Sequence, residues 1–214
     1  GIALVSAGVS NEALFYTRRL LDRIGIEGGT FQVDQGDEVT LSGFPKLKLR
    51  ADRAPNAAGA ELQGFRRSDG LPDVSDGATL VVLGDALAGA PTDYGANAGF
   101  FLYIGSHLVP AAGNATAILP AATVPEADGT FVNYEGRVQR FHRALRSPGV
   151  ARPGWMFLSR LLEKLGGEPG VREIDDAFAV MAMGTAGMEA MSWAGLGLRG
   201  ELLSEAGQPA VAVE

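Results

Sequence analysis

Two histidines are the first places to look for chemistry in this chain, and they stand far apart. His107 lies in Gly105-Ser106-His107, just beyond an apolar run that reads as a strand. Ligands of open α/β sheets gather outside the carboxyl ends of strands. A lone histidine without a metal-spaced partner is more often a hydrogen-bonded loop residue. His142 stands between Arg140 and Arg143, and neighbouring cations disfavour binding a further cation. Gly84-Asp85 follows a second apolar run and could approach a ligand there. The simpler reading is a strand-end turn with a capping aspartate. Glu126 and Asp128 are paired acids, but successive loop positions do not define a general acid and base. Their plain reading is turn and loop chemistry.

Other familiar devices are missing. Neither a Gly-x-Gly-x-x-Gly run after the first apolar segment nor a P-loop with its lysine occurs, so Gly8 is only a turn residue. The Gly-x-Ser-x-Gly elbow of hydrolases is absent too. With no cysteine, the chain has no thiolate nucleophile and no cysteine-ligated cluster. A basic run is more specific. Arg137, Arg140, Arg143, Arg146 and Arg152 fall within sixteen residues that hold no acid. Guanidinium forks suit carboxylates and phosphates, so docking to another part of a complex competes with a solvated face. Met181, Met183, Met188 and Met191 cluster near Trp193 and read as core before contact patch.

Composition sets the outer limits. A chain of 214 residues with 46% apolar and 20% charged content is globular rather than disordered, and buries about 70% of its unfolded surface. A net charge of −7 argues against generic nucleic-acid or anionic-membrane binding. The chain opens on an apolar strand, Gly1 to Ser6, without a basic leader or initiator methionine, which reads as a piece of a longer polypeptide. The uncharged stretch from Tyr94 to Pro125 contains Asn97, His107, Asn114 and internal prolines, so it is not one apolar membrane helix.

The elements that must position these residues follow from periodicity. A strand over 2–6 leads to Ser10-Asn11-Glu12, a capped helix start, and a helix over 11–25 with Leu14, Leu20 and Leu21 on its apolar face. Thr30 to Val33 reads as the next strand. Within 34–76, Leu47 and Leu49 alternate with Lys46, Lys48 and Arg50, as in a half-buried edge strand. Glu61 to Phe65 reads as a helical turn. Continuous apolar runs at 79–83, 100–104 and 116–119 suit strands covered on both faces, the last stopped by Pro120. Asp128-Gly129 turns into a hairpin of Thr130–Val132 and Arg137–Phe141 around Tyr134-Glu135-Gly136. A helix over 154–165 carries Trp155, Leu158, Leu161 and Leu162, and 174–203 is helical in part.

Residues 118 to 139 also carry a likeness. The run from Ile118-Leu119-Pro120 through Thr130-Phe131-Val132-Asn133-Tyr134 to Glu135-Gly136-Arg137-Val138-Gln139 resembles a signature of the molybdopterin oxidoreductase superfamily. Its Glu-Gly-Arg-Val-Gln ending is most similar to the large iron–sulfur subunit of respiratory complex I, the NADH-quinone oxidoreductase. Arg152-Pro153-Gly154-Trp155 and the amphipathic stretch to Gly166 continue the match. The similarity is strong over 116–166, fair over 79–115, and weak at both ends.

The resemblance implies an α/β fold: a mainly parallel Rossmann-like sheet, flanking helices and an inserted β-hairpin over 1–166, then a partly helical extension over 167–214. It implies a scaffold in the peripheral arm, without catalytic, cofactor-binding or metal-ligating residues of its own. Electrons in such a parent pass from NADH to quinone through iron–sulfur clusters held upstream. Partners are then other regions of the same subunit and neighbouring peripheral-arm subunits, with no nucleic acid and no membrane insertion. The location is the cytoplasmic side of the inner membrane in a bacterium. The alternatives are a piece of a molybdopterin-dependent enzyme such as a formate dehydrogenase, which often has arginine where Gly136 stands, or a free-standing ligand-binding α/β protein. Pterin-binding relatives bring a glycine and a polar residue, here Gly84 and Asp85, towards the cofactor's nucleotide. Ala86-Leu87-Ala88-Gly89 and Val109–Asn114 depart from the continuations usual in those relatives.

Overall fold

A computed structural model describes residues 1–33, 36–45 and 47–207. The first unit is β1 (Ile2–Ser6), α1 (Asn11–Arg23) and β2 (Thr30–Gln32). Ser10 starts the helix by accepting a hydrogen bond from the Ala13 amide at 3.3 Å, and Glu12 sits in the positive first turn. A short ribbon of β3 (Val39–Thr40) and β4 (Lys48–Leu49) follows, then α2 (Ala57–Leu62) and β5 (Arg66–Arg67). The chain returns through β6 (Thr79–Leu83), β7 (Phe100–Gly105) and β8 (Ala117–Pro120). It then forms the hairpin of β9 (Gly129–Val132) and β10 (Arg137–Phe141), followed by α3 (Gly154–Lys164), α4 (Ile174–Met183) and β11 (Glu201–Leu202).

All five strands expected from the apolar runs lie in one sheet, and every neighbouring pair is parallel. Its order is β5-β2-β1-β6-β7-β8. Alternation along the central strands sends side chains to two cores. Ala3, Val5, Val81, Leu83, Leu102 and Ile104 face α1 and α3. Leu4, Leu80, Val82, Phe101 and Tyr103 face an irregular layer that includes Leu87, Ala111 and Ala112. Burial on both faces is why these strands read as unbroken apolar runs.

Several expectations need correction. The sheet has a sixth strand, β5, which carries no apolar signal because both of its residues are exposed arginines. Arg67 is held there by ion pairs to Asp52 at 2.7 Å and Glu61 at 2.9 Å. Leu47 and Leu49 are not half-buried on the sheet. They belong to the β3–β4 ribbon, with 56% of each exposed, because the ribbon stands away from both cores. Lys46, part of the same expectation, lies outside the described residues. The helical turn placed at 61–65 begins earlier, at Ala57, where small residues let α2 pack closely. Pro120 ends β8 but does not end pairing. It lacks a donor, yet its carbonyl accepts the Arg152 amide at 3.2 Å.

The hairpin is the largest correction. Its basic run suggests that it projects and docks outward. Instead β9 packs on α1 and α2, and Val132 and Val138 are buried in the larger core. Side chains from the helices complete its hydrogen bonds. The Thr130 amide and hydroxyl donate to Glu12 at 3.0 and 2.8 Å, and the Val132 amide donates to Asn56 Oδ1 at 2.8 Å. The turn is closed by Asn133, whose Oδ1 accepts the amides of Glu135 and Arg137. Gly136 takes φ +74° there, a conformation that a side-chain-bearing residue adopts only under strain. β11 extends the pair to three antiparallel strands.

Arg140 therefore serves the chain's own fold. Its Nη1 donates to the Trp193 carbonyl at 2.7 Å, and its guanidinium lies 5.8 Å from the Trp193 ring centre. Met181 and Met188 are buried in the same core as the sheet, while Met183 is exposed. The methionine cluster is thus mainly core. Arg140→Ala should destabilise the chain by about 1–2 kcal/mol through the lost bond and ring contact. Arg143→Ala should stay within about 0.5 kcal/mol of wild type, and urea denaturation of both variants measures the contrast. Thr130→Val, which leaves Glu12 Oε1 and Asn11 Nδ2 without their shared partner, should cost about 1–3 kcal/mol in the same assay.

Candidate functional site

From β1 the chain winds outward in both directions, to β2 and β5 on one side and to β6, β7 and β8 on the other. The crevice outside the strand ends between β1 and β6 is therefore the topological switch point, where sheets of this kind bind ligands. A cavity of about 280 Å³ opens there. Its walls come from the loop after β1, the turns after β6 and β7, the segment after β8 and the start of α3.

The chain enters this crevice in tight, self-satisfied turns. Ser6 Oγ accepts the Gly8 amide at 3.1 Å, and Ser10 is committed to capping α1. Gly84 leaves β6 at φ +73°, where an added Cβ would lie 2.6 Å from Val9 Cγ1 and 2.8 Å from Ser6 Cβ. Only glycine fits that approach. Trp155 forms another part of the wall, its indole donating to the Asp128 carbonyl at 3.3 Å.

Asp85, Ser106 and His107 meet at the rim. Ser106 Oγ donates to Asp85 Oδ1 at 3.3 Å and lies 2.9 Å from His107 Nδ1, which in turn is 3.5 Å from the same carboxylate oxygen. The three residue types suggest a catalytic triad, but the geometry excludes one. Serine and aspartate share one ring nitrogen, whereas a proton relay needs one partner on each. His107 and Asp85 are also more than half exposed, so the cluster is a solvated turn.

The other sequence candidates lie elsewhere. Glu126 Oε2 accepts the Thr123 amide at 3.0 Å in a capping box. Asp128 Oδ1 accepts the Arg143 amide at 3.1 Å and lies 3.3 Å from His142 Nδ1. His142 stacks edge-on against Trp193, away from His107. Among the described residues, no group of three His, Cys, Asp or Glu side chains is placed to hold a metal ion. No helix among them is long and apolar enough to cross a membrane.

Comparison with known proteins identifies the segment that builds much of this wall. Residues 93–164, from before β7 through α3, match the molybdopterin oxidoreductase family model. That segment, about a third of the chain, carries the molybdopterin oxidoreductase pattern. The F420-dependent formate dehydrogenase 2 subunit alpha of Methanococcus maripaludis is 45% identical over 67 residues, covering 31% of this chain and 10% of that protein. The mitochondrial NADH-ubiquinone oxidoreductase 78 kDa subunit of Candida albicans is 40% identical over 81 residues, or 38% and 11%. Its counterpart in Neurospora crassa is 43% identical over 67 residues, or 31% and 9%. The matched stretch spans about a tenth of each relative's length.

A pterin dinucleotide would bring two phosphates to such a crevice, which makes the charge of its walls a direct test of fit. Asp85 is the one lysine, arginine, aspartate or glutamate among the lining residues. An acid repels phosphate, and the amides of Gly8 and Ala13 are already donated to Ser6 Oγ and Ser10 Oγ. The walls supplied by this chain therefore do not fit that group.

The polar group that sequence reasoning missed is Glu12. It is fully buried, yet Ser10-Asn11-Glu12 signals only a helix start. Burial pushes its pKa above the ordinary carboxylate value, although the Thr130 hydrogen bonds and the helix amides pull the other way. A carboxyl with a raised folded pKa stabilises the fold fully below its unfolded value. That contribution is lost as pH climbs through the folded one. The melting temperature of wild type relative to Glu12→Gln should therefore fall as pH rises from about 4.5 towards neutrality, followed by thermal melts at stepped pH.

Proposed function

We propose that this chain is a structural α/β segment of the large iron–sulfur subunit in the peripheral arm of an NADH-quinone oxidoreductase. In that reading the parent complex passes electrons from NADH to quinone, and this segment performs no catalysis. The observation that carries it is the charge of the switch-point crevice, with one acid and no lysine or arginine on its walls. A scaffold needs the Rossmann-like sheet but not the phosphate site. The absence of cysteine agrees with clusters held elsewhere in the parent, and the Glu135–Gln139 ending and the two fungal 78 kDa relatives point the same way.

Partners in this reading are other regions of the same subunit and neighbouring peripheral-arm subunits, on the cytoplasmic side of the inner membrane in a bacterium. A segment of a molybdopterin-dependent enzyme is the second reading, favoured by the 45% identity to a formate dehydrogenase alpha subunit. The two separate on cofactor chemistry. Purified protein should hold well under one molar equivalent of molybdenum or iron by elemental analysis. Titration with guanosine diphosphate should give no saturable heat. Stoichiometric molybdenum, or saturable nucleotide binding that Asp85→Ala alters, would instead establish the enzyme reading.

A further inference from the structure

The ribbon of β3 and β4 has one apolar face and one polar face. Its register pairs Val39 with Leu49 and Thr40 with Lys48, and the Leu41 amide continues it by donating to the Leu47 carbonyl at 2.9 Å. Alternation therefore puts Val39, Leu41, Leu47 and Leu49 on one face. Glu38, Thr40, Lys48 and Arg50 take the other. There Lys48 pairs with Glu38 at 2.8 Å, and the Arg50 guanidinium lies 4.3 Å from the Tyr134 ring centre. That contact turns the polar face towards the β9–β10 hairpin and the apolar face away from it. Phe44 stands in the turn between the strands, its amide donating to the Leu41 carbonyl. Between 50% and 62% of each of the five apolar residues is exposed. Together they expose on the order of 500 Å², an area at which an apolar patch marks an interaction site. A two-stranded ribbon is marginal in water until its apolar face is packed against something.

We propose that this face is covered by the same ribbon of a second copy of the chain, laid face to face across a two-fold axis. Area supports it. Two copies would bury about 1,000 Å² of apolar surface alone, the size that a specific interface needs to clear. Charge supports it too. The chain carries −7 overall, yet residues 37–50 set Asp37 and Glu38 against Lys46, Lys48 and Arg50. Two copies therefore meet at a stretch free of the repulsion that their net charges impose elsewhere. The four positions of the face offer no ionisable group to a charged polypeptide or a phosphate-rich surface, so an apolar partner gains most by covering them. A two-fold axis supplies that partner, because it sets the same patch against itself. Edge-to-edge pairing of two ribbons would leave the apolar face in water, which selects the face-to-face arrangement.

The test is sedimentation equilibrium on the whole 214-residue chain. It should pass from monomer to dimer, with no larger species, at a dissociation constant of about 1–100 μM, as suits an interface at the small end of the range. Leu41→Thr with Leu47→Thr, which keeps strand-forming residues on the ribbon, should weaken the dimer at least about tenfold. Leu108→Thr with Val150→Thr, at residues 77% and 74% exposed elsewhere, should leave it unchanged. Added salt should not dissociate it, because apolar contact is not screened. Labelling locates the face. In a chain without cysteine, a maleimide should react with Val39→Cys more slowly as protein concentration rises, and with Thr40→Cys at a constant rate. A monomer up to about 500 μM would overturn the proposal and hand the face to a different polypeptide. A dimer that the ribbon pair leaves intact would overturn it as well. Capture by neutral phosphatidylcholine vesicles in place of dimer formation would overturn it in favour of a lipid surface. If the threonine pair melts early, the labelling contrast decides alone, and equal behaviour of Val39→Cys and Thr40→Cys at every concentration sinks the proposal.

Discussion

A buried carboxyl group joins the two halves of this molecule. Glu12, at the start of α1, takes both the amide and the hydroxyl of Thr130 on β9, more than a hundred residues away in sequence. Asn11 donates to the same hydroxyl, and Asn56 bridges from the Val9 carbonyl to the Val132 amide. The side chains of Asn11, Glu12, Asn56 and Thr130 are all fully buried, so each would be costly without its partner. Hydrophobic contact alone would let the hairpin slide on the helices. Directed bonds to Thr130 and Val132 fix its register and hold it to the parallel sheet. The position of α3 follows, because Trp155 hangs from the Asp128 carbonyl just before β9.

That fixed hairpin helps to shape the crevice at the switch point, where Phe141 and Trp155 form part of the wall. The architecture keeps the topological switch point of a dinucleotide-type fold without its charge or its glycine-rich phosphate loop. β1 and β6 are parallel neighbours from which the chain winds in opposite directions, glycine stands where the backbones approach, and a capped helix begins beside them. The Gly8 and Ala13 amides are nevertheless already donated to Ser6 Oγ and Ser10 Oγ, and Asp85 turns the remaining field against phosphate. Fold and binding chemistry are separable, since the sheet needs buried apolar strands while a ligand needs free polar atoms at their ends.

The arginines show the same separation along one short stretch. Arg140 is drawn inward by the Trp193 carbonyl and ring. Arg137 reaches the Gly200 carbonyl at 3.3 Å. Beyond β10 the chain leaves the sheet, and Arg143 and Arg146 face solvent with no such acceptor. Spacing in the sequence does not distinguish these roles. What distinguishes them is whether the 193–200 segment lies within reach.

The parallel strands, the capped helix α1, the amphipathic α3 and the hairpin with its turn are legible in the residues alone. Those features are set by local physics: apolar runs long enough for two covered faces, a serine before a helical pattern, and Asn133 and Gly136 at a tight turn. The family likeness is legible in the same stretch. Other features exist only in the folded chain. β5 is a strand although two exposed arginines carry no periodic signal, because Asp52 and Glu61 place Arg67. Leu47 and Leu49 are exposed, the hairpin is core, and Glu12 is buried. Each outcome depends on a partner distant in sequence, and a residue's type records its own chemistry but not which neighbour the fold will bring to it.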